Sequence, residues 1–386
     1  MSVLLFWLLA LLLFLMAGEL GRRCGLIPIV SQLLLASLGL PLLMLFWVEP
    51  HWHLDGAALI APGWLQTLYG ASFALLLGHI LGDVVALRLD RESLKIAVPS
   101  FLVPFFAGLG CGLWLLADQP WLSTLALGLV FAITAIPVLY LYLRHIDYPP
   151  DATRRLMQSA ILIDVTCWLL FGLGQGSLNP LSLLLPLLIA GLPALFYWLR
   201  VRKPGVYSLV FLAVLFIAEH YQLNALLCGI GYLACMAWLK LPLRMPLSSV
   251  WLQRLQNGVA IPLILTFGIV QIDLQHVLAG FDAVQLGALL LLPIASKLLG
   301  NWLGLSWATP SFAGASKWRE SLLLNIRGLS EIVFLNLLLQ QQLISPALYF
   351  ALMLMSLVAT LLPAVAGLHR IPSNTVQPAR RPYAEH

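Results

Sequence analysis

Long runs of apolar residues, separated by short polar connections, dominate this chain of 386 residues. Its sequence is 61% hydrophobic and only 10% charged, which is more apolar sequence than a soluble core can bury. Because about 20 apolar residues suffice to cross a bilayer as an α-helix, the sequence predicts an all-α polytopic membrane protein. Thirteen spans are predicted, at residues 2–18, 27–47, 64–82, 97–117, 121–143, 156–174, 179–199, 206–221, 223–239, 257–274, 284–305, 320–340 and 346–368.

The distribution of basic residues is an independent check on these spans, because Lys and Arg concentrate on the cytoplasmic side of membrane proteins. Nineteen of the 21 Lys and Arg residues follow odd-numbered spans, and the even-numbered connections contain none. We therefore expect an inner (plasma) membrane protein with an outside N-terminus and a cytoplasmic C-terminus. Read as topology markers, the basic residues indicate no nucleic-acid partner. Residues 1–369 are predicted to form the membrane domain and residues 370–386 a disordered cytoplasmic tail.

One carboxylate, Asp164, lies near the centre of the span at residues 156–174 and is its only charged residue. Placing a carboxylate at the middle of a membrane helix costs about 2.5–3.5 kcal/mol on insertion scales, so such a residue usually faces a partner or a water-filled cavity and has a function. The alternative is a stray polar residue held in helix packing. Asp164 is therefore the first candidate site residue.

The two basic residues that remain, Lys297 and Arg327, also lie within predicted spans. Lys297 is near the middle of its span, where a lysine has no helix end within reach of its ammonium, so a functional role is favoured. In a continuous helix Arg327 and Glu331 would lie one turn apart and could neutralise each other. A purely structural ion pair therefore remains open for Arg327.

Two spans carry residues that disrupt a helix at membrane depth. The fifth contains Thr134 and then Pro137, and proline removes a backbone donor and clashes with the preceding turn. The twelfth contains Gly328 among polar residues. Broken helices build the midplane binding sites of many transporters, and their placement in both halves of the chain predicts an inverted repeat. An ordinary proline kink without a site is the alternative for the fifth span.

The order of these motifs resembles the sodium/hydrogen exchanger domain of the cation:proton antiporter superfamily, particularly its second branch, which includes the plant cation/proton exchangers. Residues 323–336 resemble that branch's Asn-Thr-Arg-Gly-Leu pattern followed by a glutamate. Further short matches occur in the same order as in the family, over about residues 18–365. They are Gly21-Arg22-Arg23 with Pro28-Ile29-Val30, Thr134-Ala135-Ile136-Pro137-Val138-Leu139, Asp164 with Trp168, Ile261-Pro262-Leu263 with Gly268, and Lys297 with Gly300. The resemblance implies two crossed, broken helices in a core domain, a panel domain that forms a homodimer, and elevator-like alternating access.

One position departs from the family pattern and affects the expected stoichiometry. The family usually has Asn-Asp or Asp-Asp where this chain has Ile163 and Asp164. A second ligand or carboxylate is therefore missing from this helix. With one carboxylate, one proton is released for each monovalent cation bound, and electroneutral exchange is expected.

Together these residues predict a proton-coupled antiporter of Na+ or K+ in the lipid bilayer, with no cofactor and no enzymatic activity. Asp164 is expected to bind either the proton or, transiently, the metal cation, and Thr134 to supply a neutral oxygen. Lys297 is the predicted charge partner. Pro137 and three residues of the second break are predicted to hold the broken helices, namely Arg327, Gly328 and Glu331.

Three other interpretations remain open at the level of sequence. A proton-coupled exporter of an organic ion or metabolite could use the same scaffold. An intramembrane enzyme is disfavoured, because no paired catalytic carboxylates, His cluster or Ser/Lys dyad occurs at membrane depth. A non-transporting sensor or subunit would have the same composition.

Overall fold

The computed structural model of the chain describes residues 3–23, 28–52, 56–82, 90–176, 186, 188–201, 203–220, 225–241, 249–272, 283–310 and 314–366. Within these ranges the chain forms helices joined by short turns, with no strand. The predicted tail at residues 370–386 lies outside the described residues. The all-α class predicted from the sequence is confirmed.

The first half of the chain contains eight helices. They are α1 (Val3–Arg23), α2 (Pro28–Leu34, continuing through π-helical turns at Leu35–Gly39 and Met44–Val48 to Glu49–Trp52), α3 (Gly56–Ile60), α4 (Gly63–Gly82), α5 (Arg91–Leu115), α6 (Trp121–Ala132), α7 (Ile136–His145) and α8 (Pro150–Gly176).

The second half contains nine described helices. They are α9 (Leu192–Trp198), α10 (Pro204–His220), α11 (Ala225–Trp238), α12 (Ser249–Leu255, followed by a π-helical turn at Gln256–Ala260), α13 (Ile261–Val270), α14 (Ala283–Ala308), α15 (Gly314–Leu324), α16 (Leu329–Gln340) and α17 (Pro346–Val365).

Each of the thirteen predicted spans has a counterpart among the described helices, although the seventh is described mainly in its second part. By length and composition, six helices of the described chain are apolar enough to cross a membrane unaided. The fifth and twelfth spans are each built from two shorter helices, α6 with α7 and α15 with α16. The chain is thus a polytopic membrane protein with two interrupted spans.

The two interrupted spans have the same setting in both halves of the chain. In the first half a long helix, α5, precedes the pair α6 and α7, and α8 follows. In the second half α14 precedes the pair α15 and α16, and α17 follows. The two helices that precede the interrupted spans, α5 and α14, pack along each other. Because the interrupted span follows this helix in both halves, the two interruptions lie side by side.

Small residues allow the close packing of α5 against α14. A Cβ atom on Gly304 would lie 2.5 Å from the carbonyl oxygen of Ile96, and one on Gly300 would lie 2.6 Å from that of Pro99. Real side chains do not tolerate such distances, so the backbones meet only because both positions are glycine. Small residues at helix interfaces are the usual means of close approach in membranes. The close packing fixes where α14 presents Lys297.

Candidate functional site

The first interruption begins where α6 ends at Ala132. Ile133 is extended (φ −59°, ψ 151°) and Ala135 is also non-helical (φ −88°, ψ 87°), and α7 then starts at Ile136 with Pro137 in its first turn. Proline is tolerated in the first turn because the N–H groups there have no partner within the helix. The break predicted from Pro137 is confirmed, and Pro137 begins the second half of the broken helix.

The second interruption separates α15, which ends at Leu324, from α16, which begins at Leu329. Gly328 has φ +155° and ψ −124°, a conformation that side chains disfavour, and a Cβ atom there would lie 2.8 Å from a methyl group of Val138. Both the backbone and the space therefore require glycine. The break predicted at Gly328 is confirmed.

The two interruptions contact each other directly. The Ala135 N–H of the first break donates a hydrogen bond of 3.2 Å to the Ile326 carbonyl of the second. The carbonyl of Arg327 accepts a hydrogen bond of 2.7 Å from the Thr360 hydroxyl of α17. These three backbone groups of the breaks are thus bonded inside the protein, as membrane depth requires.

Asp164 of α8 points into this crossing. Its side chain is 1% exposed, and its Oδ1 accepts a hydrogen bond of 2.9 Å from the backbone N–H of Thr134. The acceptor therefore lies at the N-terminal end of α7, where the partial positive charge of the helix stabilises an anion. The Thr134 hydroxyl is also buried and has no hydrogen-bond partner among the described residues.

The opposite end of the first break is covered by positive charge. Arg327 donates hydrogen bonds of 2.6 Å and 2.7 Å to the carbonyls of Val130 and Phe131. Lys297 donates to the Ala132 carbonyl, and to the Ser100 carbonyl at 3.2 Å. These three carbonyls end α6 and have no partner within the helix. Two buried cations therefore satisfy the C-terminal end of α6 and complement its partial negative charge.

Arg327 also forms the ion pair that its spacing from Glu331 allows. Its guanidinium donates 2.9 Å to Glu331, which accepts a second hydrogen bond of 2.7 Å from the Ser356 hydroxyl. The pair forms although Arg327 lies within the interruption, because Glu331 lies in the first turn of α16. The side chain of Arg327 thus connects Glu331, in the first turn of α16, to the carbonyls at the end of α6.

The structure brings the sequence-predicted residues to one place, the crossing of the two breaks. Asp164 and Thr134 meet through a hydrogen bond, and Lys297 reaches the crossing from α14 by bonding the last carbonyl of α6. The described chain has no group of three or more His, Cys, Asp or Glu residues that could hold a metal ion. At the crossing the Asp164 carboxylate lies beside the neutral oxygen of the Thr134 hydroxyl, whereas the Glu331 carboxylate is held by Arg327 and Ser356.

A second buried polar cluster was not predicted from the sequence. Arg155 donates hydrogen bonds of 2.9 Å and 3.0 Å to both oxygens of Glu320, and the Tyr148 hydroxyl donates 3.3 Å to the same carboxylate. The Arg319 guanidinium lies 5.0 Å above the Tyr148 ring. Burial, more than the charge of Glu320, raises the pKa of the Tyr148 phenol, which therefore remains a hydrogen-bond donor.

This cluster joins the connection after the fifth span to the connection after the eleventh. The two connections therefore lie at the same end of the helix bundle, as the alternation of basic residues predicts. The only sequence signal was Glu320 itself, an acidic residue at the start of a predicted span. From the sequence, Arg155 and Arg319 are interpreted only as topology markers.

Comparison with known proteins gives a match among solved structures. No family model matches the chain, and no curated protein matches it. Among solved structures, the chain is similar to the sodium proton antiporter MjNhaP1 from Methanocaldococcus jannaschii, with a TM-score of 0.58 and 16% sequence identity. The match covers 95% of this chain and 97% of the antiporter chain. The protein therefore has the fold of a sodium proton antiporter over nearly its whole length.

Proposed function

We propose that the protein is a secondary transporter that exchanges a monovalent cation, Na+ or K+, for protons across a membrane. The observation that carries the proposal is the position of Asp164, which is buried at membrane depth and accepts a hydrogen bond from Thr134 at a helix break. A buried carboxylate at such a position is typical of proton and ion pathways. The similarity in fold to a sodium proton antiporter supports the same function.

Coupling follows from competition for a single carboxylate. Asp164 binds either a proton or a cation that has lost most of its water, so the arrival of one releases the other. Hard cations prefer oxygen ligands, and the Thr134 hydroxyl is a buried neutral oxygen one residue from the Ala135 contact between the breaks. The exchanged ions are the substrates, and no resident metal is required.

Lys297 and Arg327 act on this site through the end of α6. Their positive charges neutralise the partial negative charge of the Val130, Phe131 and Ala132 carbonyls. These carbonyls then no longer compete with Asp164 for the cation. In this proposal Lys297 is also the charge partner of Asp164, because its charge favours the ionised carboxylate and so sets the pH at which cations bind.

The stoichiometry follows from the residue beside the carboxylate. Ile163 precedes Asp164 on α8 and cannot ionise or bind a cation. One exchangeable carboxylate gives up one proton for one monovalent cation, and the cycle then moves no net charge. Exchange is therefore proposed to be electroneutral.

The moving unit is proposed to consist of the two repeated sets of helices that contain the breaks, α5 to α8 and α14 to α17. The remaining helices would form the panel and a homodimer contact within residues 1–369. The proposed membrane is the cell inner membrane, with the N-terminus outside and residues 370–386 in the cytoplasm, on the evidence of the basic residues. Alternating access then consists of movement of the broken-helix unit against the panel.

Proton flux in proteoliposomes tests the proposed function. Purified protein is reconstituted with an imposed pH gradient, and Na+, K+ and a panel of organic cations and anions are added in turn. Dissipation of the gradient by Na+ or K+ is expected. A response only to organic ions would favour the exporter instead, and no response to any ion would contradict transport.

A further inference from the structure

Asn325 lies in the second break, directly before the Ile326 carbonyl that bonds the first break. Its side chain is 0% exposed, and neither its amide nitrogen nor its amide oxygen has a hydrogen-bond partner among the described residues. Buried polar side chains are normally hydrogen-bonded, because burial removes their contacts with water. An amide whose two polar groups both lack a protein partner therefore indicates a ligand at this place.

Another buried asparagine, Asn336, shows the arrangement of a structural amide in the same protein. Its nitrogen donates 3.0 Å to the Ile264 carbonyl, and its oxygen accepts 3.1 Å from the Tyr349 hydroxyl. Both ends of that amide are used to hold α16 against α13 and α17. Asn325 makes neither kind of bond within the described chain, so helix packing does not explain it.

The position of Asn325 relative to Thr134 is bounded by the hydrogen bond between the two breaks. The Ala135 nitrogen and the Ile326 oxygen are 3.2 Å apart. Thr134 directly precedes Ala135 in the chain, and Asn325 directly precedes Ile326. Standard bond lengths then place the Cα atoms of Thr134 and Asn325 no more than about 13 Å apart. Thr134 is itself the backbone donor to Asp164. Within this bound the two breaks contribute one buried side-chain oxygen each, the Thr134 hydroxyl and the Asn325 amide oxygen.

We propose that the side-chain oxygen of Asn325 is a further ligand of the transported cation, together with Asp164 and the Thr134 hydroxyl. The inference deepens the proposed function and rests on it. On α8 the residue beside Asp164 is Ile163, so neutral oxygen ligands must come from other elements. A carbonyl oxygen is the neutral ligand that Na+ and K+ accept, and Asn325 has one with no competing protein donor in the described chain. Asn325 is thereby a residue that determines cation affinity.

Asn325→Leu separates this role from a structural one, because leucine has a similar volume and no polar atom. Replacing an unsatisfied buried amide by an apolar group is neutral or stabilising when the amide has no bond to lose. We expect the midpoint of thermal unfolding without cation to be unchanged or higher. We also expect the rise in that midpoint on adding Na+ to be lost, and the KM for Na+ in proteoliposomes to increase about tenfold, which corresponds to about 1.4 kcal/mol.

Ser123→Ala is the matched control. The Ser123 hydroxyl is also fully buried and also lacks a hydrogen-bond partner within the described residues. It lies in the first turn of α6, at the opposite end of that helix from the break. The Na+-induced rise in the unfolding midpoint and the KM should be unchanged in this variant.

A second variant, Asn325→Asp, keeps both the volume and an oxygen ligand. It is expected to retain binding of Na+ and, because it adds a second carboxylate, to make transport more sensitive to membrane voltage than in the unchanged protein. A purely structural amide would give no such voltage response. This variant tests the ligand role by a second readout, which does not depend on the stability of Asn325→Leu.

Three results would overturn the inference: lower stability of Asn325→Leu in the absence of cation, an unchanged KM, or voltage sensitivity of Asn325→Asp equal to that of the unchanged protein. Failure of the proposed function is a different result. In that case the unchanged protein itself shows neither exchange nor stabilisation by Na+ or K+.

Discussion

Arg327→Met removes the side chain that connects the two breaks. The guanidinium donates to the carbonyls of Val130 and Phe131 and to the carboxylate of Glu331, and it is 1% exposed. Methionine has a similar length but no donor. All three acceptors therefore lose this donor in a buried setting, and we expect a large loss of stability.

The matched comparison is Glu331→Gln, which breaks the same ion pair from the other side. Removing either partner of a buried ion pair costs about 3–5 kcal/mol, because the other charge is left uncompensated. Arg327→Met also leaves two buried carbonyls without this donor, at about 1–3 kcal/mol each. In Glu331→Gln both of those hydrogen bonds remain, so Arg327→Met should be the more destabilising change by about 2–6 kcal/mol.

Unfolding in detergent solution measures this difference. Because membrane proteins often unfold irreversibly, midpoints or unfolding rates are compared at one scan rate and one detergent concentration. Arg254→Met is the control, since Arg254 is exposed and its guanidinium lies 5.5 Å from the centre of the Trp251 ring; its effect should stay within about 0.5 kcal/mol. Equal losses in the two site variants, or a greater loss in Glu331→Gln, would refute the assignment of Arg327 to the α6 carbonyls.

Two further predictions concern transport. Lys297→Gln should shift the pH of half-maximal exchange to higher values, because a nearby positive charge disfavours protonation of Asp164; an unchanged pH profile of proton flux would count against Lys297 as its charge partner. Na+ transport by the unchanged protein should be almost independent of membrane potential, since Ile163 leaves one exchangeable carboxylate on α8. Rates measured at valinomycin-imposed K+ potentials of either sign test this, and a steep dependence on voltage would exclude one-for-one exchange.

The features that the sequence predicted well are those with a local physical cause. Pro137 removes a backbone donor and Gly328 tolerates conformations that other residues disfavour, so the sequence predicts both breaks. Proline alone does not specify a break, because Pro99, Pro104 and Pro293 lie inside continuous helices. Asp164 was identifiable because a carboxylate at membrane depth is costly wherever its partner lies. The spans followed from apolar length alone.

The features that sequence did not predict depend on contacts between distant parts of the chain. Lys297 was identified as a buried charge, but its hydrogen bonds to Ser100 and Ala132 connect helices that are far apart in sequence. The pairing of Arg155 with Glu320 spans 165 residues. Nothing local in either residue specifies the other, because both are also ordinary choices for a cytoplasmic connection.

Asn325 could be predicted only in part from the sequence. It belongs to the stretch that carries the family resemblance, but its type alone is equally compatible with a helix cap, a packing contact or a ligand. Only the absence of a hydrogen-bond partner within the described residues separates these possibilities. That observation requires the packed structure.

The most direct test of the proposed mechanism is proton flux driven by Na+ or K+ in proteoliposomes containing Asp164→Asn. The amide oxygen of this variant can still accept the hydrogen bond of 2.9 Å that Thr134 donates to Oδ1, so the fold and the unfolding midpoint should be retained. The side chain can no longer exchange a proton for a cation, and coupled flux should fall to the level of protein-free liposomes. Flux at the rate of the unchanged protein would contradict Asp164 as the carrier.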